Sequence, residues 1–537
     1  MSAAMTPASA PSSSGPVSVG RALLSTYDKT GLVDFARRLA GLGISLMATG
    51  GTKRILEEAG LSVTSVEAVT GAPELLGGRV KTLHPAIHAA LLARRDEPED
   101  MRELEAHDIT PIDLVVSNLY PFSEAVASEG AHATVLEHID IGGPTMLRAA
   151  AKNHPSVAVV SDPADYEAVA RELEQSDGQL AADTRADLAR RAFAHTATYE
   201  QAIAHYMAES GADAGDEEAA LPDSLQLSLP KDRPLRYGEN PHQAAALYGA
   251  SDAFYEHIHG KALSFNNVMD LSAALQLIDE FRDHPPTCAI LKHTNPSGVA
   301  VADTLETAYQ RAFATDRQSP FGGIVVVNRT LDRPTAEAID AIFTEMIIAP
   351  DFAPGVVDLL KAHERRRLIR HRAPARRDTP TELRSVVGGV LAQQRDPVHG
   401  APGSLPDRWT VATDRAPTDA EQADLDFAWR VVKHVKSNAI VYARDQATLG
   451  IGAGQMSRID SAELAAMKGA KSELDFTDAV VASDAFFPFA DGLNAAADQD
   501  IRAAIQPGGS IRDDEVIEAA NDQDLAMVLT GHRHFRH

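Results

Sequence analysis

A single cysteine, Cys288, serves a chain of 537 residues. An intrachain disulfide framework and any multi-cysteine zinc site are thereby excluded. No apolar run approaches the length that spans a bilayer. Residues 1–20, rich in Ala, Ser and Pro, hold neither the apolar core of a secretory signal nor an arginine before Arg21. They read as a disordered tail, and the expected compartment is the cytoplasm. Positive charge is also short: 50 Lys and Arg against 76 Asp and Glu leave a formal charge of −26. A nucleic-acid or anionic-membrane binder would need a basic face, so neither is expected. A local cationic pocket for a small phosphorylated ligand stays open. Only 12 of the basic residues are lysines, and Lys29, Lys81, Lys152 and Lys292 all fall inside distinctive motifs.

The length predicts two to four domains. From Arg21 the pattern reads strand (ALLST), Asp28 as helix N-cap, then a helix through LVDFARRLAGLG. The strand ISLMA runs into Thr49-Gly50-Gly51-Thr52 and the helix KRILEEAG, an order in which backbone N–H groups can converge on a phosphate. Gly77-Gly78-Arg79-Val80-Lys81-Thr82-Leu83-His84-Pro85 sets two cations and a hydroxyl behind two glycines; His84 and His88 read as non-metal histidines because Pro85 intervenes. The strand DLVVSN leads into Leu119-Tyr120-Pro121-Phe122, and Ile139-Asp140-Ile141-Gly142-Gly143-Pro144-Thr145 opens a helix through MLRAAAKNH. Polar groups and glycines at strand ends and helix starts are where an open parallel sheet binds ligands. Two alanine-rich helices end near Glu209, and residues 209–230 read as an acidic linker.

In the second half, CAILKHTNPSG carries a buried strand into Lys292-His293-Thr294-Asn295. Taken alone, the pair fits either a strand-to-turn junction with a solvated lysine or chemistry in which imidazole takes a proton while ammonium meets developing negative charge. The seven arginines between Glu364 and Arg377 read as a solvated edge strand and loop. Val435-Lys436-Ser437-Asn438-Ala439 is similar in kind to His293-Thr294-Asn295-Pro296, and Ser483-Asp484-Ala485-Phe486-Phe487 to Ser319-Pro320-Phe321, as an internal duplication would give.

Together DKTGLVDFAR, GGRVKTLHPAIH, NLYPF, IDIGG, LRAAAKNH, RYGENPHQ, KHTNPSG, SNAIVYA, IGAGQMSR, SDAFFPF and the His-Arg-rich end resemble, in order and from about Arg21 to His537, the bifunctional purine-biosynthesis family that joins phosphoribosylaminoimidazolecarboxamide formyltransferase to IMP cyclohydrolase. The resemblance implies an α/β protein. Residues 21–208 would form a methylglyoxal-synthase-like doubly wound parallel sheet with trailing helices. Residues 231–537 would form a transformylase region of two cytidine-deaminase-like α/β subdomains, about 231–395 and 407–537. It implies formyl transfer from 10-formyltetrahydrofolate, as co-substrate, to 5-aminoimidazole-4-carboxamide ribonucleotide (AICAR), then closure of formyl-AICAR to IMP with loss of water. No metal is required, the partners are these small molecules, and the assembly is a homodimer with the transformylase site completed across its interface.

By the same resemblance, His293 is the transformylase base and Lys292 its stabiliser of charge, while Arg236, Tyr237, Gly322, Glu345, Asn438, Arg458, Ile459, Phe486 and Arg533 contact nucleotide and folate. Lys152 matches the cyclohydrolase proton carrier. Lys81, Tyr120 and Asp140, with Ser25, Lys29, Thr49, Gly51, Thr52, Arg79, Thr82, Asn118, Gly142 and Gly143, match its phosphate, base and oxyanion contacts. An unbroken helix from Pro144 sets Lys152 about 12 Å along the axis. Lys152 would then approach from another direction, or touch the opposite end of the ligand from Asp140. A zinc deaminase is disfavoured because its Pro-Cys-x-x-Cys pair cannot come from one cysteine. A methylglyoxal-synthase-type lyase stays open as a single activity. Against a catalytically silent nucleotide-binding protein stand Lys292 and His293, since a binding module has no need of a base beside a cation.

Overall fold

Five strands, four of them rich in Leu, Val and Ala and largely buried and the fifth the half-exposed edge Val63–Ser65, build a wholly parallel sheet in the first of two units of the computed structural model. The units are residues 1–228 and 229–537. The structure describes residues 15–73, 76–128, 131–210, 221, 224–225, 227–372, 381–396 and 409–537.

Across the first sheet the order is Val63–Ser65, Ser45–Ala48, Arg21–Ser25, Leu114–Ser117, Ala158–Val160. Alternate residues face opposite layers. Ala22 and Leu24 join Leu32, Phe35, Val169 and Leu173 of the helices Leu32–Gly41 and Tyr166–Gln175. Leu23 and Val115 join Ile87, Leu91, Met146 and Leu147 of Pro85–Leu92 and Gly142–Lys152. Chain order reverses at Arg21–Ser25, so a crevice opens beyond the carboxyl ends of that strand and its two neighbours.

Three expectations change here. Asp28 does not cap the first helix; Gly31 (φ 68°) occupies the cap, and Asp28 instead accepts the Thr30 N–H (2.8 Å) and hydroxyl (2.7 Å). The tail is not structureless up to residue 20, because Val17–Ser18 pairs antiparallel with Gln179–Leu180. The second helix is Gly50–Glu58, which places the glycine pair inside its first turn rather than before it. Residues 1–14 and most of the acidic linker lie outside the described residues.

The second unit carries a sheet of twelve strands that reads the same from either edge. At its centre lie two hairpins, Thr287–Lys292 with Asn295–Val301 and Ile440–Arg444 with Ala447–Gly452. Outside the first come Ile324–Val327, Met346–Ala349 and Arg367–His371, mutually parallel, then Tyr255–His259 antiparallel. Outside the second come Val480–Ser483, Ala503–Gln506 and Ala526–Leu529, then Thr410–Val411 antiparallel. The helix order repeats as well, and so does the closest packing: a Cβ on Gly298 would stand 1.9 Å from the Ala312 carbonyl oxygen, and one on the equivalent Gly450 2.2 Å from that of Ala465. Each glycine lets a helix lie directly on its strand.

The duplication is therefore real, but the motifs matched by eye are not equivalent. Lys292-His293-Thr294-Asn295 closes the first hairpin, and its counterpart is Arg444-Asp445-Gln446-Ala447, whereas Ser437-Asn438 precedes a strand. Likewise Ser483 ends a strand while Ser319-Pro320-Phe321 precedes one. Short polar runs mark strand ends of either kind, and only register separates them.

The arginine run is also corrected. The strand Arg367–His371 lies inside the sheet, with Arg366 0% and Arg367 7% exposed. Arg366 pairs with Asp340 and Arg367 with Glu345, while Arg370 pairs with Glu256 (2.9 Å) and Asp351 (3.1 Å). A carboxylate beside each guanidinium is what burial requires; residues 373–377 lie outside the described residues.

Adding a methyl at Gly298 or Gly450 drives it into a fixed carbonyl, so Gly298→Ala and Gly450→Ala should each cost about 1–3 kcal/mol. Gly41, which ends a helix in open space, should instead gain a few tenths to about 1 kcal/mol as Gly41→Ala; urea titration checks both signs. Burial holds His434 down to about 3 and His284 down to about 4, so both are neutral when folded. Unfolded histidine titrates near about 6.5, so the unfolded chain binds more protons below that pH, and stability should fall from pH 6.5 toward pH 3. Urea midpoints across pH 7 to 4 should show a shallower decline in His434→Gln.

Candidate active sites

In the first unit the crevice is lined by the residues that end the strands. The Ser25 and Thr49 hydroxyls lie 2.9 Å apart, and Thr52 accepts the Thr26 N–H at 3.2 Å. Asn118 accepts the N–H groups of Tyr27 (2.6 Å) and Asp28 (2.9 Å) and returns its amide to the Asp28 carbonyl (3.0 Å), locking the first loop to the fourth strand. Lys29 bonds the carbonyls of Thr26 and Tyr27, and burial pushes its pKa down.

Two helices start at this crevice with glycine pairs. A Cβ on Gly50 would meet Lys81 Nζ at 3.0 Å, so the ammonium lies over the first turn of Gly50–Glu58. A Cβ on Gly142 would meet Thr82 Oγ1 at 2.7 Å, and one on Gly143 would meet Asp140 Oδ2 at 2.5 Å. Neighbouring residues Lys81 and Thr82 thus reach different helix N-termini, both of positive partial charge, the second with its Gly142 and Gly143 N–H groups turned to Asp140. Asp140 accepts the Gly143 N–H at 2.8 Å, and Tyr199 accepts the Asp140 N–H at 2.7 Å. Burial raises the Asp140 carboxyl, opposed by the N–H groups of Gly143 and Gly142. The exposed rings of Tyr27 and Tyr120 lie 5.1 Å apart at the crevice mouth.

Two expected residues fall elsewhere. Arg79 is exposed and paired with Glu137. Lys152 ends the unbroken helix Gly142–Lys152, exposed and about 15 Å from its start at 1.5 Å per residue. The structure does not bring it to the crevice of its own unit.

In the second unit the focus is the turn after Thr287–Lys292. His293 (φ 53°) and Thr294 (φ 65°) are both left-handed, a conformation that costs a β-branched residue energy. Four bonds hold it: Thr294 N–H to Asp270 (2.8 Å), the Thr294 hydroxyl to the His293 carbonyl (2.6 Å), Lys292 Nζ to the Phe321 carbonyl (3.0 Å), and Lys436 N–H to Asn295 (3.0 Å). The last ties the turn to the segment entering Asn438. There Arg458 donates to Asn438 Oδ1 (3.0 Å), the Ser483 hydroxyl (2.9 Å) and Asp484, and Ser437 also bonds Asp484. The C-terminus joins this network: Arg536 N–H donates to Ser437 Oγ (3.0 Å), and the Arg533 guanidinium lies 4.5 Å from the centre of the Phe535 ring.

Glu345 adjoins the turn and pairs with Arg367, and Gly322 (φ 71°) follows Phe321. Arg236 stacks on Tyr237 at 4.7 Å, on a run that Asn266 ties to the helix bearing Asp270. Ile459 and Phe486 are half-buried beside Arg458 and Ala485. Sequence reasoning overlooks Asp270 and Ser437. Nothing in VMDLS sets Asp270 apart from a solvated helix residue until its burial is known. Among the described residues, no group of three or more His, Cys, Asp or Glu is arranged to hold a metal ion.

The chain matches the family described as AICARFT/IMPCHase bienzyme over residues 150–468, and that described as MGS-like domain over residues 31–145. It is 56% identical to the bifunctional purine biosynthesis protein PurH of Chloroflexus aurantiacus, covering 97% of this chain and 99% of that one. With the protein of the same name from Pelodictyon phaeoclathratiforme it shares 50% identity, again over 97% and 99%. The chain belongs to the AICARFT/IMPCHase bienzyme family of bifunctional purine-biosynthesis enzymes.

Proposed function

We propose that the two activities divide between the two units, cyclisation of formyl-AICAR to IMP in the first and formyl transfer from 10-formyltetrahydrofolate to AICAR in the second. For the first unit, the carrying observation is Lys81 lying over the Gly50–Gly51 helix start while Thr82 reaches Gly142. A ribonucleotide phosphate bonds the open N–H groups there with the ammonium above it. Ser25, Lys29, Thr49, Gly51, Thr52 and Asn118 shape the rest of the pocket, while Arg79 stands apart, paired with Glu137. Ring closure needs the carboxamide nitrogen to lose one proton and the formamide nitrogen a second, both going to the former formyl oxygen, which leaves as water. Asp140, its carboxyl raised by burial and bonded by the Gly143 and Gly142 N–H groups, and Tyr120 serve these transfers. Lys152, at the far end of its helix, takes no part within its own unit.

In the second unit, the exposed His293 imidazole removes the proton from the weakly nucleophilic AICAR amine as nitrogen attacks the formyl carbon. Lys292 supplies positive charge to the tetrahedral oxyanion, whose collapse releases tetrahydrofolate. Arg236, Tyr237, Gly322, Glu345, Asn438, Arg458, Ile459, Phe486 and Arg533 hold nucleotide and folate. The reading extends to a cytoplasmic homodimer, checked by sedimentation equilibrium.

His293→Ala should lower formyl transfer by about 100-fold or more while leaving cyclisation of supplied formyl-AICAR within twofold. Lys81→Ala should do the reverse, by a similar factor. Separate assays of tetrahydrofolate release and IMP formation decide; loss of both activities in either folded variant would overturn the division.

A further inference from the structure

The repeat supplies an internal control for one residue that has no part in the reaction as drawn above. Asp270 is the sixth residue of the helix Phe265–Asp279, and Asp424 is the sixth of its counterpart Asp419–Val432. Asp424 accepts both N–H groups of its own left-handed turn, Asp445 at 2.8 Å and Gln446 at 2.6 Å. Asp270 accepts the Thr294 N–H at 2.8 Å, and its second oxygen has no hydrogen bond among the described residues. The same clamp thus serves both hairpins, but only in the first does an imidazole share the turn.

We propose that Asp270 is the positioning residue of the transformylase base: its carboxylate clamps the Thr294 N–H and leaves its negative charge facing the His293 imidazole. This rests on His293 being that base. Besides His293 and the Thr294 N–H, the groups acting on this carboxylate include Glu345, a like charge already paired with Arg367, while Lys292 is engaged by the Phe321 carbonyl. Burial raises the Asp270 carboxyl, and the Thr294 bond and the His293 charge oppose that rise. Positive charge that develops on the imidazole as it takes the amine proton then meets an ionised carboxylate.

Asp270→Asn keeps an acceptor for the Thr294 N–H and removes the charge. In the full chain its kcat for formyl transfer should fall about tenfold or more, with KM for AICAR within about threefold. Cyclisation should be unchanged. Asp424→Asn, the same change at the silent turn, should leave both activities within twofold. Thr294→Gly relieves the turn of strain, so Asp270→Asn with Thr294→Gly separates clamp from charge and provides a folded variant where the single change destabilises the unit. Persistent loss of kcat with KM for AICAR unchanged supports the proposal. Recovery to the rate of Thr294→Gly alone, or equal losses in Asp270→Asn and Asp424→Asn, overturns it and leaves a structural clamp. Full formyl transfer by His293→Ala would instead overturn the underlying reading. An inactive His293→Ala beside an unaffected Asp270→Asn overturns this inference alone.

Discussion

The second unit depends on a seam that has almost no backbone ladder. Between the repeats, Ala300 and Ala447 form the single paired position, and Val301 N–H adds one bond to the Gln446 carbonyl at 2.9 Å. Thr448, 1% exposed, supplies the rest. Its hydroxyl accepts the Val299 N–H at 2.9 Å and lies 2.7 Å from the hydroxyl of Thr315, whose own carbonyl accepts from Ser472 at 3.1 Å. One donor and two acceptor sites on a hydroxyl suit this position better than any apolar β-branched side chain, since an orphaned Val299 N–H would cost about 1–3 kcal/mol. The seam sets the equivalent strands Asn295–Val301 and Ala447–Gly452 side by side and antiparallel. For that reason the first hairpin's turn lies beside the strand start of the second, where Asn295 meets Lys436 and Arg458 meets Asn438.

One architecture used twice supports chemistry once, and equivalent positions show why. Lys292 and Arg444 each bond a carbonyl before the next strand, those of Phe321 and Thr477. Glu345 has Arg502 as its counterpart, each donating its N–H to a paired residue, Gly323 or Ala479. Gly322 has Asp478, which pairs with Arg502 at 2.9 Å. The second turn thus fills its surroundings with matched charges, while the first keeps a glycine and an exposed imidazole.

Much of this was legible in the chain. Apolar runs ending in hydroxyls and glycines located the crevice of the first unit, because parallel strands buried on both faces leave only their ends for polar work. Lys81, Thr82 and the two glycine pairs were marked in sequence, and the structure joins them. The distance of Lys152 from the start of its helix was legible too, from helix geometry alone. Two things were not. Burial of the arginine run depended on carboxylates as distant as Glu256 and Asp340, which no local pattern reveals. The register of the duplication could not come from short polar motifs, since strand entries and hairpin turns share the same residue types.

A chain of charge −26 handling anionic nucleotides and folates poses an electrostatic problem that the sites solve at short range. At physiological salt the Debye length is about 8 Å, so the diffuse acid excess is screened beyond the width of a pocket. Within it, each helix start contributes roughly half a positive charge, and its N–H groups need no reorganisation to meet a phosphate. Lys81, placed over one such start, adds a full charge where dielectric screening is weakest. The second site has no glycine-paired helix start at its focus and relies on guanidinium and ammonium groups held by carbonyls and carboxylates. Arg458 is the clearest case, buried and anchored to Asp484 before any ligand arrives. Part of its charge is already compensated there, and the same guanidinium holds Asn438 in place.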